Sequence, residues 1–138
     1  MPVIDELIRT EEDGSISFGN YKLPQKAKKS DFEYQGDLYK VKTWKEITKL
    51  ERNDMLVYEA VPGTAAERFK GAGEGVEFTA YGDQDAQITV QMENDAEYEV
   101  YVNGAAVGSM RTNMSGKLSV SVELEEGTGV TVSAVRRA

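Results

Sequence analysis

Apolar and polar side chains alternate along most of the second half of this chain. Four runs share the two-residue period: Val76, Phe78 and Ala80; Ile88, Val90 and Met92; Leu118, Val120, Val122 and Leu124; and Val130, Val132 and Ala134. Successive side chains of a β-strand point to opposite faces, so each run places its apolar groups on one face. The pattern predicts antiparallel strands packed on one side, as in a β-sandwich.

Turn signals separate the short apolar runs of the first half. Residues 7–18 are predicted to form a hairpin that turns at Asp13-Gly14, and residues 32–44 a second hairpin around Gln35-Gly36-Asp37. Residues 55–61 follow as a strand that ends at Pro62-Gly63. The predicted fold class is therefore all-β, a small antiparallel sandwich-like architecture.

Two stretches of the first half depart from the strand pattern. Residues 23–30 contain Pro24 and are polar, so we expect a loop whose lysines form a solvated face. Around 44–51, the spacing of Thr43 and Glu46 matches a helix capping box, and Ile47 and Leu50 follow at helical spacing. We therefore expect one short helix near 44–51, with a strand as the alternative.

The glycine-rich stretch 71–75 is the candidate domain boundary. Its spacing is not that of a dinucleotide-binding loop, and a strand-like run follows it, so we expect a linker or loop. This boundary divides the chain into an N-terminal β subdomain, 1–70, and a C-terminal sandwich-like subdomain, 71–138. A single domain is the alternative.

The segment from Glu97 to Met110 contains the strongest hairpin signal, because Asn103-Gly104 suits a two-residue type I′ turn. A regular register then places Tyr98, Val100, Val102, Ala105 and Val107 on the core face. On the other face, Tyr101 lies beside the small residues Ala106 and Gly108, which leaves a shallow patch that a ligand could contact. The alternative is that Gly108 permits a β-bulge.

Charge is distributed unevenly along the chain, whose net charge is −8. Residues 71–110 contain 8 Asp and Glu and no Lys or Arg. Such a segment repels phosphate backbones, so we expect no nucleic-acid partner. Asp83, Asp85, Glu93 and Asp95 offer oxygen ligands but lack the spacing of a calcium-binding loop, and we expect no metal site.

The chain contains no cysteine and no histidine, which removes several classes of catalytic chemistry. Thiol nucleophiles, histidine-ligated zinc and a Ser-His-Asp triad are all excluded. We predict no catalytic residue and no cofactor. The N-terminus lacks the basic and apolar regions of a secretory signal, and no run is long enough for a membrane helix, so a cytoplasmic protein without a membrane partner is expected.

Exposed aromatic side chains are the main candidate contacts for a ligand. Trp44, Tyr39 and Tyr58 lie in the less regular half, and aromatic rings bind sugars by stacking and anchor protein interfaces. Residues 38–61 also place apolar groups on both faces of their strands. This pattern favours burial against another chain, so a homo-oligomer or another protein partner is expected.

Three stretches, 6–21, 31–64 and 97–110, together resemble a family of short bacterial proteins that often carry the name endosialidase. Sialidases act through large β-propellers, which need several four-stranded blades and more than the 138 residues of this chain. The resemblance implies sialic-acid glycans as a ligand class and no particular site residue. We therefore consider a non-catalytic binding or assembly module first, a carbohydrate-binding or accessory protein second, and a glycosidase third.

Overall fold

The computed structural model describes residues 3–72 and 74–137, and this part of the chain contains thirteen β-strands and no helix. None of these residues belongs to a helix that could cross a membrane. The strands are β1 (Ile8–Thr10), β2 (Ile16–Phe18), β3 (Ala27–Tyr34), β4 (Asp37–Trp44), β5 (Ile47–Arg52), β6 (Met55–Val61), β7 (Ala65–Ala72), β8 (Gly75–Tyr81), β9 (Ala86–Gln91), β10 (Glu97–Val102), β11 (Ala105–Arg111), β12 (Lys117–Val122) and β13 (Val130–Arg136).

Neighbouring strands pair antiparallel in two sheets. The seven-stranded sheet has the order β1-β2-β7-β8-β13-β10-β11, and the six-stranded sheet has the order β12-β9-β6-β5-β4-β3. Their inner faces contribute to one hydrophobic core, which confirms the predicted all-β sandwich. Each sheet contains strands from both sides of 71–75, because β7 pairs with β8 and β6 pairs with β9. The linker or loop expected at 71–75 is partly wrong, because residues 71 and 72 belong to β7 and residue 75 to β8; Gly73 lies outside the described residues.

Aromatic rings join the two sheets at the centre of the core. Tyr58 comes from the six-stranded sheet, and Phe18, Phe69 and Phe78 come from the seven-stranded sheet. The Tyr58 ring lies edge-on to the Phe18 ring, with 5.0 Å between the centroids, and Phe69 and Phe78 stack at 5.6 Å. Such edge-to-face and offset pairs add to the stabilisation that burial alone provides.

The two predicted hairpins of the first half are confirmed, whereas the predicted loop at 23–30 is partly wrong. β1 pairs with β2 across Asp13-Gly14, and β3 pairs with β4 across Gln35-Gly36. Residues 27–30 already belong to β3, where Lys28 and Lys29 face β4 partners. β3 is an edge strand, and edge strands often carry lysines because charge opposes pairing with another chain.

The short helix expected near 44–51 is wrong. β4 ends at Trp44, a two-residue turn follows, and β5 begins at Ile47, which pairs with Trp44. Thr48 and Leu50 are buried and Ile47 and Lys49 are less so, which is a strand pattern. Pairing of β5 with β4 on one side and β6 on the other outweighs the local helix preference, since it buries Thr48 and Leu50 against the core.

The register predicted for the β10–β11 hairpin is wrong beyond the turn. Val102 pairs with Ala105 and Tyr101 with Ala106, but Val100 pairs with Gly108, so Val107 is an extra, bulged residue. Ala105 and Val107, both expected on the core face, are exposed on this edge strand. Gly108 adopts a φ of +130°, which is open to glycine and strained for other residues. The bulge that the sequence offered as an alternative is thus present.

A chain of buried hydrogen bonds crosses the core at one end of the sandwich. The Asn20 N–H donates to Thr43 Oγ1 at 2.8 Å, and the hydroxyls of Thr43 and Thr48 lie 2.8 Å apart. The Thr48 hydroxyl donates to the Thr64 carbonyl at 2.7 Å, so Thr43 must donate to Thr48. The Tyr58 and Thr64 hydroxyls close the chain at 2.7 Å.

Candidate functional site

Two of the aromatic side chains singled out in the sequence lie in the core. Tyr58 is fully buried and Tyr39 is 7 % exposed. Burial raises the pKa of the Tyr58 hydroxyl, which stays protonated and bonded to Thr64. The Tyr39 ring packs edge-on to the Tyr34 ring, with 5.6 Å between the centroids. Neither Tyr39 nor Tyr58 presents a ring face on which a sugar could stack.

Trp44 lies on the outer face of the six-stranded sheet. Its neighbour Thr43 is buried in the core, so alternation along β4 directs the Trp44 side chain outward, where it is half-buried. Its indole Nε1 is enclosed and has no hydrogen-bond partner among residues 3–72 and 74–137. A buried N–H without a partner costs about 1–3 kcal/mol.

Two further apolar side chains lie beside Trp44. Ile47 pairs with Trp44 across the β4–β5 turn. Thr48 pairs with Ala60, and both side chains face the core. Because the strands are antiparallel, Ile47 and Val61 lie opposite each other on the outer face. Val61 is 52 % exposed. We call Trp44, Ile47 and Val61 the apolar row. In the part of the chain that the structure describes, this row lies on the solvent side of the six-stranded sheet.

Tyr101 and Gly108 do not form the shared patch that the regular register predicted. Tyr101 is half-buried and pairs with Ala106 on one side and Ser133 on the other. Gly108 instead pairs with the core-facing Val100. Tyr101 also belongs to the seven-stranded sheet and Trp44 to the six-stranded sheet. The candidate contacts named from the sequence are therefore not brought together in one site.

A row of lysines, which sequence reasoning missed, crosses the outer face of the six-stranded sheet. Lys28 in β3 pairs with Lys42 in β4, and Lys42 pairs with Lys49 in β5. Val41 and Thr43 are buried on either side of Lys42, so its side chain points away from the core. We call Lys28, Lys42 and Lys49 the lysine row. Alternation along β4 predicts that Lys42 points away from the core. The alignment of the three lysines follows only from the register between strands.

Ion pairs involve several carboxylates of the acidic segment. Glu93 pairs with Arg136, and Asp95 pairs with Arg111 at 3.0 Å. Arg137 lies 3.4 Å from Glu99 and 3.9 Å from Glu97. Within residues 3–72 and 74–137 there is no group of three or more acidic side chains that could hold a metal ion. Arginines that follow the segment in sequence thus neutralise part of its charge.

A separate polar cluster connects the β1–β2 hairpin to β7. Ser17 donates a hydrogen bond to Glu11, which lowers the pKa of that carboxyl, and Arg9 adds a second bond at 3.0 Å. Hydrogen bonds from Ser15 lower the pKa of Asp13, which also lies 3.2 Å from Lys70 Nζ. These contacts hold both carboxylates ionised, which is the opposite of what a general acid needs.

Comparison of the chain with protein-family models, with curated proteins and with solved structures finds no match. The geometry of the molecule is therefore the basis for a functional proposal. The outer face of the six-stranded sheet carries both the apolar row and the lysine row. A half-buried tryptophan therefore lies beside aligned lysines on this face.

Proposed function

We propose that this protein is a non-catalytic β-sandwich binding module whose ligand surface is the outer face of the six-stranded sheet. The observation that carries the proposal is the apolar row beside the lysine row. Trp44 and Lys42 are two residues apart on β4, about 7 Å along the strand, and share a face. One ligand can therefore contact the indole and the ammonium together.

The non-catalytic part of this proposal is supported by the ionisation and pairing of several carboxyl groups. A glycosidase needs one acid with a raised pKa and a second carboxylate opposite it. The pKa values of Glu11, Asp13 and Glu126 are instead held low by hydrogen bonds from Ser17, Ser15 and Lys22, respectively. Glu93, Asp95 and Glu99 are engaged by arginines. These pairings favour structural roles for these six acids.

Carbohydrate is the ligand class that the apolar row suits best. An indole stacks on the apolar face of a pyranose ring, and Trp44 is half-buried on the outer face of the sheet. The endosialidase resemblance also implies glycans, sialic-acid polymers included. A strongly apolar protein partner would instead be expected to need a wider apolar patch.

A glycan array that includes polysialic acid tests this function, with the supernatant assayed for released sugar. We expect binding without release, and Val61→Ser should weaken it. Val135→Ser is the matched control, because Val135 is equally exposed, at 54 %, but lies on the seven-stranded sheet. Release of sugar that a single Asp or Glu replacement abolishes would contradict the proposal.

Self-assembly is a second candidate, favoured by the edge strand β11. Residues 105–109 of this edge are exposed and carry no charged side chain, and such an edge can pair with another chain. Gly108 is a poor position for a test, because its φ of +130° strains any replacement. Val107→Lys avoids this strain. If β11 mediates assembly, this variant should be monomeric by light scattering where the parent protein is not, and a monomeric parent at high concentration would contradict assembly.

A further inference from the structure

The six-stranded sheet opens at one end, where β6 and β9 separate. β6 begins at Met55, but its pairing with β9 begins only at Tyr58. Val57 is an extra, bulged residue in the pairing of β6 with β5. A bulge bends its strand and interrupts the ladder of hydrogen bonds. A cleft of 510 Å³ therefore lies between the start of β6 and the end of β9.

Apolar side chains form the inner part of this cleft. Met55, Leu56 and Val57 line it from β6, and Met92, the residue after β9, lines it from the other side. Met92 is 6 % exposed, and Val57 is half-buried and packs against the core, whereas Met55 is 70 % exposed. The thioether side chain is flexible and adapts to the shape of a bound group. The cleft thus offers an apolar surface that is only partly covered by the protein itself.

Two cations flank the cleft from opposite sides. Arg52 lies at the end of β5, which neighbours β6, and Lys117 lies at the start of β12, which neighbours β9. Both side chains line the cleft, and both residues are exposed. Apolar groups at the inner end and positive charges at the outer end suit a ligand with an apolar body and an anionic head.

Arg52 differs from the other arginines of the chain in having no ion pair within residues 3–72 and 74–137. The arginines that form ion pairs are Arg9, Arg68, Arg111, Arg136 and Arg137. Glu51, the residue before Arg52, is shared by Lys40 and Lys49 instead. A free guanidinium can hold a carboxylate through two parallel hydrogen bonds. Arg52 is therefore available to an anion that enters the cleft.

We propose that the cleft between β6 and β9 binds a small aliphatic carboxylate, such as a medium-chain fatty acid, with its carboxylate on Arg52 and Lys117 and its alkyl chain toward Met92. The volume of the cleft lies in the range of small-ligand sites. The residues that line it include no aromatic ring, so an alkyl chain fits better than a sugar ring. This site is independent of the proposed function, because Met55 and Val61 lie at opposite ends of β6, about 20 Å apart along the strand.

Titration of the full chain with sodium octanoate, followed by amide NMR shifts, tests the charged end of the site. Arg52→Gln should weaken binding about tenfold and Lys117→Gln about threefold, because a guanidinium binds a carboxylate through two hydrogen bonds and an ammonium acts as a point charge. Lys45→Gln is the matched control: Lys45 is also exposed and makes no ion pair in the described part of the chain, but it lies in the β4–β5 turn. Equal losses in Arg52→Gln and Lys45→Gln would overturn the role of Arg52.

Ligands of different length and charge test the apolar end. Hexanoate should bind about tenfold more weakly than octanoate, because two fewer methylene groups are buried. Octanol has the same alkyl chain without the carboxylate and should also bind more weakly than octanoate. Binding that does not depend on chain length would overturn the placement of the alkyl chain in the cleft. Tighter binding of octyl phosphate than of octanoate would overturn the assignment of the head group to a carboxylate.

Two exposed apolar residues of β6 separate this site from the proposed glycan surface. Met55→Ser should weaken octanoate binding and leave glycan binding unchanged, whereas Val61→Ser should do the reverse. Absence of octanoate binding at millimolar concentration, with glycan binding intact, would overturn the carboxylate site alone. Octanoate binding that Met55→Ser weakens, in a protein that binds no glycan, would support the cleft and contradict the proposed function.

Discussion

Thr48 and Thr64 exchange two hydrogen bonds inside the core. The Thr48 hydroxyl donates to the Thr64 carbonyl at 2.7 Å, and the Thr64 N–H donates back to Thr48 Oγ1 at 3.1 Å. Thr48 belongs to β5 in the six-stranded sheet, and Thr64 immediately precedes β7 in the seven-stranded sheet. The pair therefore joins the two sheets through a single side chain.

Thr48→Val should lower the free energy of unfolding by about 3 kcal/mol, because it leaves the Thr64 N–H and C=O and the Thr43 hydroxyl buried without their partner. Urea unfolding measures the change. Thr89→Val is the control: Thr89 bonds Ser119 at 2.8 Å on the exposed side of the same sheet, and its loss should cost less than about 0.5 kcal/mol. An equal loss of unfolding free energy in the two variants would contradict a larger stabilisation by the buried Thr48 hydrogen bonds.

Gly63→Ala should destabilise the protein by about 3 kcal/mol, at the upper end of the usual cost of overpacking. A Cβ on Gly63 would lie 2.0 Å from the Trp44 carbonyl oxygen, so the backbone after β4 must move. Gly75→Ala serves as the control, since Gly75 also lacks a positive φ and a Cβ there would come no closer than 3.2 Å to another atom, the Ala134 carbonyl oxygen. Thermal unfolding compares the two, and an unchanged Tm for Gly63→Ala would contradict the close approach.

Acid should weaken the contact between Glu11 and Ser17. The pKa of Glu11 is lowered in the folded state, so the carboxylate contributes stability above its unfolded pKa, near 4.5, and loses it as the pH falls through the folded value. Glu11→Gln should therefore cost about 1.5–3 kcal/mol at pH 7, the range for hydrogen bonds to charged groups, and progressively less below pH 4.5.

Unfolding of the parent and Glu11→Gln proteins at pH 7 and at low pH measures this dependence. Glu12→Gln is the control, because Glu12 is exposed and makes no ion pair within the described residues. The gap between parent and Glu11→Gln should close in acid. A gap that is constant with pH would mean that the ionised carboxylate is not the stabilising form.

Lys42→Gln should leave the fold intact and raise the free energy of unfolding by about 0.5 kcal/mol at low salt, since it relieves the facing charges of Lys28 and Lys49. Added salt should reduce the difference by screening these charges in the parent. Urea unfolding at two salt concentrations measures it, with Lys117→Gln unchanged for comparison. Destabilisation by Lys42→Gln would indicate that the lysine supports the sheet rather than straining it.

Local chemistry determined much of the fold in advance. Alternation in 76–80, 88–92 and 118–124 identifies β8, β9 and β12 because a strand with one buried face must repeat every two residues. Asn103-Gly104 identifies the β10–β11 turn because both residues adopt positive φ there. The lack of His and Cys limits the available chemistry without reference to the fold.

Pairing between strands determined the features that local sequence did not predict. Residues 44–51 carry a helix capping pattern, but the ladders of β4, β5 and β6 hold them as strand and turn. The bulge at Val107 shifted the register so that Gly108 pairs with Val100, and the edge position of β11 left Ala105 and Val107 exposed.

The amino-acid sequence by itself determined the all-β class, most strands and the absence of imidazole and thiol chemistry, since these depend on residue type and on local period. Hairpin partners such as β1 with β2 and β3 with β4 could be predicted from their turns, whereas the other pairings, such as β2 with β7 and β6 with β9, were decided by the tertiary structure alone. Strand register placed Tyr39 and Tyr58 in the core and aligned Lys28, Lys42 and Lys49 across three strands. Such an alignment joins residues distant in sequence, and only the pairing of whole strands under burial of a common core brings them together.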